Sequence, residues 1–267
     1  MKVRIWGARG SVPCFSKKKS HFGTNTSCVE IKFSDKERLI FDAGTGIVSM
    51  GNHLSEKNLK GEQTLYLFLS HFHWDHIQGL PFFKPVFSKD ASIHIFGKEG
   101  TEMVFSSQMI EPFYPVPIKA LPAKITTDHI KSPMNVWNSR IIPFPLNHPQ
   151  GALGYRIEHN KKVVVYATDT EPDGGKFDEI LLENCKNADL LIMDSNNSLE
   201  EAKVRVGWGH STWQDCTEVS EKCGIKKLIL FHHDPFHDDN SVFEKEAFAQ
   251  RNFRNSFSAF EEMQIDI

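Results

Sequence analysis

Apolar positions in the first part of this chain recur at a spacing of two or fall in short unbroken runs; a helical spacing joins them only later. Alternation and β-branched enrichment predict strands over residues 2–6, 28–33, 38–42, 64–70 and 92–96. The same signals predict strands over 140–146, 154–159, 162–167, 188–193 and 227–231. Helical periodicity runs over 177–184, 212–223 and 242–263. Ser211 with Gln214 three residues on reads as a capping box for the second of these helices, and Gly224 as its end.

Two strand-rich halves, each with helices, predict a layered α/β arrangement with two sheets inside and helices outside. No linker, repeat or low-complexity stretch divides the chain, so one domain over 1–267 is expected. The 101–140 segment differs from the rest, with Pro112, Pro115, Pro117, Pro122 and Pro133 around Phe113 and Tyr114. It reads as a helix followed by an irregular cover near the site, or equally as a surface crossover.

Composition narrows the function classes. An apolar content of 40% supports a sizeable core, and a net charge of -3 leaves no basic footprint for nucleic acid. Lys17-Lys18-Lys19 is a local run, best read as a solvated loop. The five cysteines (Cys14, Cys28, Cys185, Cys216 and Cys223) include no Cys-x-x-Cys pair, which argues against a disulfide framework and for a reducing compartment. Met1–Trp6 alternates like a strand and lacks the apolar region of a signal peptide, and no apolar run reaches membrane-spanning length. The expected location is cytoplasmic.

The densest chemical signal is His71-Phe72-His73-Trp74-Asp75-His76, directly after the apolar run Leu65-Tyr66-Leu67-Phe68-Leu69. Alternate side chains of an extended segment share a face, so His71 and His73 can address one ion. Asp75 and His76 follow the bend and can reach a second ion beside it. Imidazole and carboxylate donors suit zinc first, and also manganese or iron. Further ligands are expected where other apolar strands end: His148 after 141–147, Asp169 after 163–168 and His232 after 228–231.

This series of motifs resembles the metallo-β-lactamase superfamily over nearly the whole chain. The resemblance implies a four-layer αββα sandwich with two divalent metal ions at one edge. It implies that His71, His73 and His148 hold the first ion, that Asp75, His76 and His232 hold the second, and that Asp169 bridges them. It also implies that Asp42, in Phe41-Asp42-Ala43-Gly44-Thr45-Gly46, orients the ligand loop. His210-Ser211-Thr212 resembles a motif of the phosphodiesterase branch, which includes ribonuclease Z and cyclic-phosphate phosphodiesterases. The histidine there donates a proton. Leu230-Phe231-His232-His233-Asp234-Pro235 resembles that branch's last-ligand motif. Neighbouring residues of an extended segment face opposite ways, so only one of the two readily enters the site; the resemblance favours His232, which leaves His233 to support the site or to pack. Trp6-Gly7-Ala8-Arg9-Gly10-Ser11-Val12-Pro13 and Asn25-Thr26-Ser27-Cys28 also look like bacterial members of this branch.

Such a constellation implies a metal-dependent hydrolase. Two dications lower the pKa of water toward about 7 and offset charge on a transferring phosphoryl group. Asp75 accepts the nucleophile's hydrogen bond, and His210 protonates the leaving alkoxide. Ribonuclease Z carries a long arm between its bridging aspartate and this histidine motif, whereas the interval from Asp169 to His210 here is short. A small phosphodiester, such as a cyclic nucleotide or cyclic phosphate, is therefore the expected partner. Nucleic acid is disfavoured, a membrane is excluded and a homodimer is allowed. Trp208, between two glycines, is placed for exposure and for stacking on a substrate. A thioesterase or lactonase of the same fold is the alternative, and a tRNA 3′-processing endonuclease ranks below it.

Overall fold

The computed structural model describes residues 1–56 and 63–267. Six strands begin the first sheet: β1 (Lys2–Gly7), β2 (Cys28–Lys32), β3 (Arg38–Phe41), β4 (Gln63–Phe68), β5 (Ala91–Gly97) and β6 (Lys124–His129). The second sheet holds β7 (Met134–Val136), β8 (Ser139–Leu146), β9 (Ala152–His159), β10 (Lys162–Ala167), β11 (Leu190–Asp194), β12 (Leu228–Phe231) and β13 (Ser256–Ser258). The last strand, β14 (Gln264–Asp266), returns to pair with β1. The orders are β14-β1-β2-β3-β4-β5-β6 and β13-β12-β11-β10-β9-β8-β7. Each sheet is antiparallel in one half and parallel in the other. The parallel blocks are β3 to β6 and β10 to β13. Parallel strands deliver their C-terminal ends to the same edge, and the site forms there.

The apolar alternation sorts the core into three layers. In β11, Leu190 and Ile192 face the space between the sheets while Leu191 and Met193 face outward onto helices. A strand covered on both faces is an unbroken apolar run. Outside the first sheet, α1 (Gly46–Glu56) and α3 (Thr101–Gln108) bring Ile47, Met50, Leu54 and Phe105 against Leu65, Leu67, Ile93 and Ile95. The short α2 (Trp74–Ile77) lies within the ligand loop. Outside the second sheet, α4 (Lys176–Cys185), α6 (Trp213–Cys223) and α7 (Asp239–Asn252) cover Val165, Leu191, Met193, Leu228 and Leu230. The remaining helix is α5 (Leu199–Val204). The result is the expected helix–sheet–sheet–helix order.

Beneath the site, Phe41 lies 5.5 Å from Phe68, 5.5 Å from Tyr155 and 5.6 Å from Tyr166, ring centre to ring centre. Each such buried ring contributes roughly 1.5–3 kcal/mol. The two tyrosines also cross the core: Tyr155 donates to the Leu69 carbonyl and Tyr166 to the Asp42 carboxylate, both at 2.7 Å. These bonds tie strand ends of the first sheet to strands of the second.

All ten expected strands form, within one or two residues at their ends. Three details differ. The last helix ends at Asn252 rather than continuing to 263, and the remaining chain supplies β13 and β14. The capping box of α6 is Thr212 with Asp215 rather than Ser211 with Gln214, because the Ser211 hydroxyl donates to the Thr170 carbonyl instead. The 101–140 segment is mostly a crossover: after α3 it adds β6 to the edge of the first sheet and begins the second with β7. Its middle still packs toward the ligand loop, with Gln108 donating to the Ile77 carbonyl and Tyr114 to the Pro81 carbonyl. Among the described residues, no helix is long and apolar enough to cross a membrane.

Candidate metal centre

Strand exits build the site. Asp42 leaves β3, His71 and His73 leave β4, His148 follows β8, Asp169 follows β10, Asp194 ends β11 and His232 leaves β12. Three of these exits are left-handed: Asp42 at φ 61°, Asp169 at φ 51° and His232 at φ 59°. Such backbone costs on the order of 1–3 kcal/mol in a non-glycine residue and persists only where its surroundings enforce it.

Two donor clusters meet at this edge. His71, His73 and His148 form one, and Asp75, His76, Asp169 and His232 form the other. Asp169 faces both, with Oδ2 at 3.7 Å from His71 Nε2 and 3.8 Å from His148 Nε2. Its Oδ1 lies 3.4 Å from His76 Nε2 and 3.3 Å from His232 Nε2. The structure thus gathers every residue of the expected ligand set, in the expected two groups, with Asp169 between them.

The donor chemistry fits divalent cations. His148 Nδ1 donates to the Gly209 carbonyl at 2.9 Å, which leaves its Nε2 lone pair directed inward, 3.1 Å from His73 Nδ1. His76 Nδ1 pairs with Asp42 at 2.8 Å, and its Nε2 lies 3.2 Å from His232 Nε2. His71 Nε2 is buried with no hydrogen-bond partner. Facing imidazole nitrogens at such distances need a proton or a cation between them. Burial holds His71 well below the ordinary imidazole range and lowers His148, so both offer neutral donors. In the second cluster burial again opposes charge, yet Asp75, Asp169 and Asp42 push His76 well above that range. Burial would likewise raise Asp75, but His76 and His232 hold its carboxyl well below the usual carboxylate range. This group of buried carboxylates draws in positive charge.

A polar scaffold fixes the ligands. Asp42 accepts from the Ser70 amide and hydroxyl and from Tyr166, at 2.7, 2.8 and 2.7 Å, as well as pairing with His76. Asp42 therefore ties Ser70 and His76, at the two ends of the histidine-rich loop, to the end of β3. Ser11, left-handed at φ 63°, donates its amide to Asp75 Oδ2 at 2.7 Å. Gly10 beside it has no room for a side chain, since a Cβ there would lie 2.4 Å from the His232 ring.

His210 stands at the junction of the clusters, within reach of His148 and Asp169 on one side and of His232 on the other. Its Nδ1 lies 2.9 Å from Asp194 Oδ2, so that carboxylate fixes the ring through Nδ1. Burial disfavours the imidazolium, but Asp194, helped by Asp169 and Asp75, overrides it and pushes the group up to about 9. Sequence reasoning missed Asp194, which accepts from the amides of Thr170, Asn196 and Ser211 at 3.2, 2.9 and 3.2 Å. Thr168, which donates to Asp169 Oδ1 at 2.6 Å, was also missed.

His233 settles on the packing role: its Nε2 pairs with the Ala259 carbonyl at 3.0 Å and its ring meets Phe22, away from the donors. Its backbone amide and carbonyl instead hold Ala8 and Gly10 in the Ser11 loop. Trp208 is 59% exposed, with the Arg205 guanidinium 5.4 Å from its ring centre. His237 joins Glu201 rather than the site, at 3.0 Å.

Known proteins carry the same framework. The family model described as "Beta-lactamase superfamily domain" matches residues 37–233. A ribonuclease Z from Picrophilus torridus is 26% identical over 315 aligned positions, covering 100% of this chain and 96% of the relative. The metallo-beta-lactamase fold protein YhfI from Bacillus subtilis superposes with a TM-score of 0.73 at 20% identity, covering 99% of this chain and 98% of that one. The short form of human tRNase Z gives 0.69 at 18% identity, covering 100% and 99%. With the family model spanning both donor clusters from Asp42 to His232, this chain belongs to the beta-lactamase superfamily, in its metallo-β-lactamase fold.

Proposed function

We propose that this metal-dependent hydrolase cleaves a phosphodiester, and that His210 protonates the leaving alkoxide. The observation that carries this reading is the Asp194–His210 pair, set against both donor clusters. A phosphate ester leaves as an alkoxide that needs a proton, and a thiolate does not. A buried imidazole kept protonated by a carboxylate is therefore better matched to phosphodiesters than to thioesters.

His71, His73 and His148 would hold one cation, Asp75, His76 and His232 the other, with Asp169 between them; zinc suits these donors best. Bound dications would supply an acidified water and offset phosphoryl charge. The protein's own groups do the rest. Asp75, held by the Ser11 amide, accepts the nucleophile's hydrogen bond. Asp42 holds His76, and the Gly209 carbonyl holds His148, so the ligands keep one tautomer. His210 Nε2 delivers the proton while Asp194 stabilises the imidazolium before transfer.

The substrate we favour is small. Between Asp169 and His210 the chain forms α4, β11 and α5 joined by short connections, with no arm to grip a large nucleic acid. The alignment with the Picrophilus relative runs to 315 positions against 267 residues here, so that relative carries insertions this chain lacks. The net charge of -3 supplies no overall attraction for a polyanion. One observation favours tRNA 3′-processing as a second reading: the match to proteins named ribonuclease Z spans the whole chain.

The test is turnover of bis(p-nitrophenyl) phosphate, 2′,3′- and 3′,5′-cyclic nucleotides, precursor tRNA, a thioester and a lactone, each with and without chelator. Chelator-sensitive hydrolysis of a cyclic nucleotide supports the small-substrate reading. Cleavage of precursor tRNA alone moves the assignment to the second reading. Hydrolysis confined to the thioester or lactone overturns both.

A further inference from the structure

We infer that Glu171 is a positioning residue for the first donor cluster, acting through the backbone of residues 207–209. This rests on the reading that His148 holds a cation. The His148 imidazole is oriented by a main-chain group, the Gly209 carbonyl, at 2.9 Å from Nδ1. A carbonyl has no side chain of its own to fix it, so whatever holds Gly209 sets the imidazole.

Glu171 does that. Its Oε2 accepts the Gly209 amide at 2.7 Å, and the Gly207 amide lies 2.9 Å from Oε1 and 3.0 Å from Oε2. Gly207 and Gly209 both adopt left-handed backbone, at φ 83° and 84°. Their alternation turns two amides toward one carboxylate and sends Trp208 out to solvent. Gly209 must lack a side chain, because a Cβ there would sit 2.1 Å from His148 Nδ1.

Glu171 is itself anchored to the ligand-bearing strand ends. It lies two residues after Asp169, its amide donates to the Asn147 carbonyl at 2.9 Å, and its own carbonyl accepts Asn147 Nδ2 at 2.9 Å. Asn147 directly precedes His148. The β10 exit, the β8 exit and the loop leading into His210 are thus joined at one residue, the first two through its backbone and the loop through its carboxylate. Charge-assisted bonds from amides to a carboxylate are the stronger class of hydrogen bond. Glutamine would offer one acceptor oxygen and set its own N–H groups against the second amide. The loop would then loosen, and the Gly209 carbonyl with it.

Competitive zinc titration against a chromophoric chelator tests this without any substrate. The wild-type protein should bind two equivalents. Glu171→Gln should weaken one equivalent by about tenfold or more and leave the other unchanged, matching the usual cost of disturbing a group that orients a metal-binding histidine. Gly207→Ala is the second variant: it has open space for a methyl group but strains the left-handed turn, so it should weaken the same equivalent. Thermal unfolding of the apoproteins separates lost folding from lost orientation, and Gly207→Ala decides where Glu171→Gln fails to fold. Two wild-type-like affinities in a folded variant would overturn the Glu171 role alone. A wild-type protein that binds fewer than two equivalents would instead overturn the reading of the site beneath it.

Discussion

Asp194→Asn is the sharpest perturbation of the proposed chemistry. It removes the charge that faces His210 Nδ1 at 2.9 Å while nearly preserving shape. Burial of His210 opposes its charged form, so without Asp194 the imidazole loses its main support and falls from about 9 toward or below the ordinary histidine value of 6.5. At pH 8 a group at 9 is about 90% protonated and one at 6.5 about 3%, a roughly thirtyfold loss of acid, while at pH 6 both are mostly protonated. Bound cations would lower both limbs, so the comparison is between the two proteins under the same loading. The assay is a kcat profile from pH 5.5 to 9.5 on a diester with an alkyl leaving group and on one with a p-nitrophenyl leaving group. The variant should lose activity early on the alkaline side with the alkyl substrate and stay near wild type with the aryl one, whose leaving group departs unaided. Identical alkaline limbs in the two proteins, or an equal defect on both substrates at pH 6, would refute the proton-donor role. The same pair predicts a stability effect. A histidine raised in the folded state stabilises fully below 6.5 and loses that contribution as pH climbs through about 9, an effect of about 3 kcal/mol that denaturant unfolding should find missing in Asp194→Asn.

Three further perturbations have defined outcomes. Asp42→Ala strands the Ser70 amide and hydroxyl, the Tyr166 hydroxyl and His76 Nδ1 in a buried site, and should cost about 3–5 kcal/mol of unfolding free energy, measured by urea denaturation. Lys245 is buried with its ammonium on the Ser195 and Asn196 carbonyls, and burial lowers it to about 8. Because folding disfavours its protonated form, its contribution to stability should rise by about 3 kcal/mol as pH climbs from 8 to 10.5, and Lys245→Met should flatten that rise. Gly10→Ala places a methyl group 2.4 Å from the His232 ring, so it should remove the second-cluster cation in a zinc titration while leaving the first bound.

Most of the sandwich could be read from the chain because strands covered on both faces, such as β11 and β12, are runs of Leu, Ile, Met and Phe that no polar residue interrupts. The elements that escaped lack that signature. The α1 helix contains Gly46 and Gly51 with Val48 and Ser49, a composition of low helix propensity, and forms because Ile47, Met50 and Leu54 pack on the first sheet. The β6 strand is a polar, largely uncovered edge, and β7, β13 and β14 have three residues each, too few to show a period. The last helix seemed longer because Phe253, Phe257, Phe260 and Met263 continue an apolar spacing, although Phe257 in fact pairs in β13 beside Ile229. Ser211 and Thr212 both satisfy the capping pattern, and only the tertiary partner of Ser211 decides between them.

The candidate site divides along the same line. Clustered ligands are visible locally, since three histidines and an aspartate in six residues need no fold to stand out. The scattered ones, His148, Asp169 and His232, were found by asking what ends an apolar strand. Asp194 obeys that rule as fully as Asp169 does: it closes Leu190-Leu191-Ile192-Met193 and precedes Ser195 and two asparagines. It was passed over because the rule was applied to ligands, and Asp194 acts instead on His210, sixteen residues away. Strand ends in the parallel blocks converge on one edge whatever their chemistry, so each polar residue there meets the others. A strand-terminal aspartate in such a fold therefore belongs in the site by topology first, and its partner decides whether, in our reading, it holds a cation, as Asp169 does, or a proton donor, as Asp194 does.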